Sequence, residues 1–162
     1  MDFREKELLS REAAVSAEKF NSLLEIALYD KDPLAWRAAW VLDGGDEKSP
    51  GLASGSISMI VHRLPEIESK GTIRSLLRLL CRYEIGEENQ GTLIDLCFKY
   101  LVSDLYPVAV KVYAMQIIYN HVLIYPELKG ELVTIIEDQM GNNSIGFKSR
   151  GMRLIKKMEG KS

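Results

Sequence analysis

Residues 32–42, DPLAWRAAWVL, decide the fold because their pattern returns at a fixed interval. Moving 37 residues along the chain gives KGTIRSLLRLL at 70–80, then YPVAVKVYAMQII at 106–118 and SIGFKSRGMRLI at 144–155. One register aligns the bases Arg37, Arg74, Lys111 and Lys148. Before each base stands an apolar residue, Trp36, Ile73, Val110 and Phe147, and before that a small one, Ala35, Thr72, Ala109 and Gly146. Three adjacent columns agreeing four times make an internal repeat, which governs how the rest of the chain is read.

Upstream of each base the same register aligns Leu24, Val61, Phe98 and Ile135, so each unit carries two helices. Leu23, Leu24, Ala27 and Leu28, and likewise Leu93, Leu96, Cys97, Tyr100 and Leu101, follow the i, i+3, i+4 spacing of a helix with one apolar face. The alternation expected of strands is missing. Pro33 and Pro107 suit the first turn of a second helix, where no intrahelical hydrogen bond is lost, and Asp32 is placed to cap. Gly44-Gly45, Gly86 and Gly141 read as stops or turns, so the first copy's second helix is expected to end early, at LDGGDEKSPG. The spacing predicts helices near 3–12, 14–29, 33–43, 54–68, 71–84, 89–103, 107–123, 126–139 and 144–158. The expected organisation is one helical-repeat domain over 1–162, with an N-terminal capping helix at 1–13 and repeats at about 14–48, 52–86, 89–123 and 126–158.

Composition agrees with a globular chain of one domain: 162 residues, 46% apolar and 27% charged. Apolar runs such as YAMQII fall well short of the ~20 residues that cross a bilayer, so no membrane contact is expected. MDFREKELLSREAA has no apolar core followed by a cleavage site, and the expectation is a cytoplasmic protein. Cys81 and Cys97 have neither redox nor zinc spacing and read as small interior hydrophobes. Net charge is only −2, but residues 1–48 carry eleven acids against seven bases, and residues 141–162 six bases against one acid.

A small residue, an apolar residue and a base early in the second helix of a two-helix repeat, preceded by Asp and often Pro, resembles the HEAT repeat family. The four stretches quoted above carry the resemblance, which covers about residues 14–158. It implies an all-α fold, a right-handed α-α solenoid of about four hairpins with second helices lining the concave surface. For Arg37 and Lys111 the resemblance also supports a structural use, pairing with Asp30 or Asp32 and with Asp104.

Arg74 stands apart because Arg78 and Arg82 follow at i+4 and i+8 on the same helix face. Like charges at this spacing repel unless acids or a bound anion offset them. Two uses are open: a solvated face balanced by Glu66, Glu84, Glu87 or Glu88, or a basic patch for an acidic partner segment or a phosphate backbone. Register adds Lys111, Tyr119, Lys148 and Lys156 to that side. Trp36 and Trp40 occupy columns held elsewhere by core residues, but a tryptophan at an open solenoid end also serves as a partner anchor. Arg150 and Arg153 stand in columns held elsewhere by Ala39, Leu76 and Tyr113 and by Leu42, Leu79 and Gln116, giving the last copy the polar outer face of a terminal cap.

Catalytic patterns are missing: there is no phosphate loop, GLASGS lacks the strand a hydrolase elbow needs, and His62 and His121 stand alone. No metal or cofactor is expected. The function expected is non-catalytic binding of another protein through the second-helix face, by a monomer or weak homodimer. The alternative is nucleic-acid binding, since DNA alkylation-repair glycosylases resemble HEAT solenoids with a basic concave groove.

Overall fold

The computed structural model describes residues 1–160, which hold nine α-helices and no strand. They are α1 (Phe3–Val15), α2 (Ala17–Tyr29), α3 (Leu34–Lys48), α4 (Ile57–Arg63), α5 (Lys70–Leu80), α6 (Glu87–Val102), α7 (Val108–Val122), α8 (Lys129–Gln139) and α9 (Ile145–Met158). Every expected helix is present. The chain divides into two compact units, Met1–Gln90 and from Gly91 onward.

Starts follow from capping chemistry. Asp2 and Glu5 form a reciprocal capping box at α1, each side chain accepting the other's backbone N–H at 2.9 Å. Ser16, Ser69 and Ser144 accept from the third residue of α2, α5 and α9. The expected helix 54–68 is α-helical only over Ile57–Arg63, with single 3-10 turns at Ser54–Ser56 and Leu64–Glu66. Pro65 has no N–H to donate, and the ladder tightens there.

In the first unit, α2 buries Phe20, Leu24, Ala27 and Leu28, and α3 buries Ala35, Ala38, Ala39, Val41 and Leu42. The α5 contribution is Ile73, Leu76, Leu77, Leu79 and Leu80. One expectation fails here. Helix α3 does not stop at Gly44-Gly45 but runs on to Lys48. The glycines serve close approach instead: a Cβ on Gly44 would lie 2.4 Å from Ser10 Oγ, and one on Gly45 3.2 Å from the Ser10 carbonyl oxygen. Buried Ser10 in turn donates to the Val41 carbonyl at 3.1 Å, so α1 lies directly on α3.

The second unit buries Leu93, Cys97 and Leu101 of α6, Val110, Ala114, Met115, Ile117 and Ile118 of α7, Leu132 and Ile136 of α8, and Phe147 and Leu154 of α9. Cys97 lies inside as expected, whereas Cys81 is half-buried. In each unit the C-terminal end of a repeat's first helix is closed from the next repeat: Arg63 Nε donates to the Leu28 carbonyl at 2.9 Å, and Gln139 Nε2 to the Leu101 carbonyl at 2.7 Å. Among the described residues no helix is long and apolar enough to cross a membrane.

Candidate functional site

Helices α3 and α5 meet along matched turns. Arg78 lies opposite Asp43, 35 residues earlier, with Nη1 at 2.7 Å from Oδ2, and its Nη2 reaches Glu47 at 2.5 Å. One turn on, Arg82 Nη2 contacts Asp43 Oδ1 at 2.6 Å and its Nε donates to Asp46 Oδ2 at 3.0 Å. Tyr83 donates its hydroxyl proton to Asp46 Oδ1, and the Ala53 N–H reaches both that carboxylate (3.1 Å) and the Tyr83 oxygen (3.0 Å). The acid side chains are 5% (Asp43) and 1% (Asp46) exposed, so paired arginines are what makes their burial affordable.

The titrations agree with this layout. Burial pulls the Arg78 and Arg82 guanidiniums down, but hydrogen bonds and charge from Asp43, with Glu47 or Asp46, outweigh it and hold both above their ordinary value. Arg78 holds the Glu47 carboxyl below the usual range, chiefly by hydrogen bonding. Burial, then the bond to Asp46, pushes the Tyr83 phenol up to about 12.

Thus two members of the arginine stripe are balanced within the chain, and the acids that do it are Asp43, Asp46 and Glu47 rather than Glu66, Glu84, Glu87 or Glu88. Arg74 is the exception. The residue 35 positions before it, the offset of the Arg78–Asp43 pair, is Ala39, which has no charge to offer, and among the described residues Arg74 forms no ion pair. On α3, Trp36 and Trp40 are half-buried with ring centroids 6.1 Å apart. Gly71 admits Trp36, since a Cβ there would stand 3.0 Å from the tryptophan Cβ. Lys6 of α1 lies 5.5 Å from the Trp40 ring centroid and 5.7 Å from that of Phe3.

The other repeated bases go separate ways. Arg37 does not pair with Asp30 or Asp32: its guanidinium sits 5.7 Å from the Trp36 ring centroid and its buried Nε has no hydrogen-bond partner. Asp32 is occupied by the Ser69 hydroxyl (2.8 Å) and the Trp36 N–H (3.2 Å). Lys111 is buried and donates to Gln139 Oε1 at 2.9 Å, with Asp104 more distant at 3.9 Å. Tyr119 is half-buried, whereas Lys148 and Lys156 are exposed on α9 beside Met152. Arg150 donates to Gln116 at 3.1 Å. In the first unit Trp36 and Trp40 lie near each other and Arg78 and Arg82 share Asp43, while Lys111 of the second turns inward.

Both histidines bond a carbonyl one helical turn back, His62 to Ser58 and His121 to Ile117. Among the described residues no three His, Cys, Asp or Glu side chains are grouped to hold a metal ion. Reading the sequence missed Asp43, Asp46, Glu47, Tyr83 and Gln139. The i, i+3, i+4 spacing of the three acids was the available signal.

No curated protein and no solved structure matches the chain. The model of the HEAT repeat domain family matches residues 4–158, nearly its whole length. With the paired helices and the repeating base already in place, the chain belongs to the HEAT repeat family.

Proposed function

We propose that this protein acts by binding rather than by catalysis, using the α3–α5 face of its first unit to hold an acidic segment of another protein. The observation that supports the reading is the guanidinium of Arg74, which forms no ion pair among the described residues and follows by three residues the Gly71 that packs on the half-buried Trp36. A cation with adjoining aromatic surface favours a segment that joins a carboxylate to an apolar side chain. A long phosphate backbone is less suited, because Arg78 and Arg82 already spend their charge on Asp43, Asp46 and Glu47.

Trp36 and Trp40 are the chain's two tryptophans, so intrinsic fluorescence reports on this face directly. Titrate with a peptide alternating Glu and Leu, and separately with a duplex DNA oligonucleotide, at low and moderate salt. A saturable change with the peptide, lost in Arg74→Glu but retained in Arg74→Lys, supports the reading. Tighter DNA binding with a steep fall of log K against log salt moves the function to nucleic acid. No response to either ligand sinks both.

A further inference from the structure

A concave feature lies in the first unit, and none of Arg74, Arg78 and Arg82 lines it. The α2–α3 turn and the segment joining α4 to α5 line a half-open cavity of about 470 Å³, within the usual range for small-ligand sites. Its floor is apolar, made by Ala27, Leu28 and Ala35, each 2% exposed. One wall is Tyr29, and the rim carries Asp30, Asp32, Glu66 and Glu68 against Lys31 and Arg63.

The charge on that rim is unevenly spent. Arg63 is committed on three sides: to Glu66, to the Leu28 carbonyl at 2.9 Å and to the Tyr29 ring with its centroid 4.7 Å away. Asp32 is bound by Ser69 and the Trp36 N–H. Asp30 and Glu68 are exposed and make no ion pair among the described residues, and neither does Lys31. Helix α2 also ends here, so the negative end of its dipole adds to the potential of the carboxylates. Arg63 displays the preference of this corner, resting a guanidinium on a terminal carbonyl, an aromatic face and a carboxylate together.

We infer that this cavity receives a cationic head on a short apolar stem, a guanidinium or ammonium group of the kind carried by an arginine or lysine side chain or by a free alkylamine. Acidic rim residues alone would make no site. The half-open cavity, with Leu28, Tyr29 and Ile67 in its lining, gives the stem apolar surface to cover, while Asp30 and Glu68 on the rim meet the head. A wholly apolar occupant would strand those carboxylates, and an anion would meet them as like charge. The inference does not depend on the Arg74 face, which would bind the opposite charge.

Two probes separate the sources of such a head: agmatine for a free small molecule, and acetyl-Gly-Arg-Gly-amide for a peptide side chain. Each is titrated calorimetrically into the intact chain and into Asp30→Asn/Glu68→Gln, which leaves the buried contacts in place. Saturable binding of either probe is expected, weakened about tenfold in the double variant by loss of two charge contacts. Glu12→Gln, on α1 and outside the cavity lining, should bind as the parent does. The preferred probe identifies the source, and either preference supports the site. Equal affinity in parent and double variant, both with native helicity, would overturn it, as would no saturable binding of either probe to the parent.

Discussion

Arg74 lies on α5 and Arg82 in the turn just past its end, so the same substitution at each should separate a structural arginine from one left over. Replacing Arg82 with Met keeps the stem and removes the head that holds Asp43 and Asp46, whose side chains are 5% and 1% exposed. Removing one partner of a fully buried pair costs about 3–5 kcal/mol. Here the arginine side chain is 30% exposed, Asp43 keeps Arg78, and Asp46 keeps Tyr83 and the Ala53 N–H. Those remaining donors and the reach of water bring the expected loss to about 2 kcal/mol. Arg74→Met should stay within about 0.5 kcal/mol, because no acid depends on it. Urea unfolding followed by tryptophan emission measures both, since Trp36 and Trp40 lie in the same unit as the pairs. Equal costs for the two variants would refute the assignment of Arg78 and Arg82, rather than Arg74, to joining α3 and α5.

Alkaline stability should decline between pH 10 and about 12, because the folded Tyr83 keeps its proton over the interval in which the unfolded phenol has lost its own. Tyr83→Phe should flatten that decline in unfolding curves taken across the range; an unchanged slope would place its origin elsewhere. On the acid side, the Glu47 carboxyl is held below its ordinary 4.5, so its stabilising contribution is present above that pH and is lost as the pH falls through the depressed folded value. Glu47→Gln should make the acid limb slightly shallower, by a small amount since its side chain is 54% exposed. Gly44→Ala should cost about 1–3 kcal/mol despite its better helix propensity, because the added carbon meets Ser10 Oγ at 2.4 Å. Combining it with Ser10→Ala should recover part of that loss in a double-mutant cycle, and strict additivity would argue against the contact.

The repeat made the helices legible, because three columns recurring four times leave little freedom in register. What the sequence concealed traces largely to one pair of residues. Reading Gly44-Gly45 as a stop takes Asp46 and Glu47 off the helix, and with them the face that Asp43 shares. Arg78 and Arg82 then have no visible partners on the neighbouring repeat. Glycine ends a helix when the chain needs a left-handed turn, and it continues one when another backbone must come close; only the position of α1 distinguishes the two. Local acids also misled: Asp30 and Asp32 stand near Arg37 in sequence, but Asp32 spends its acceptors on Ser69 and the backbone. Lys111 shows the same limit, since its main partner Gln139 comes from the next repeat and carries no charge to advertise it. The tryptophans were legible as a pair, and their half-burial reflects rings larger than the isoleucine, valine and phenylalanine that fill Trp36's column elsewhere.

The closure of a first helix by a side chain from the following repeat bears on how such a chain can be cut or lengthened. Arg63 seals the end of α2, and Gln139 that of α6, with different chemistry at different points of the repeat. A boundary drawn by sequence register alone, between one hairpin and the next, would separate a carbonyl from its donor. Exchanging hairpins by register would put a guanidinium where an amide had served, or nothing at all. The natural unit of transfer in this protein is thus a hairpin together with the first helix of its successor.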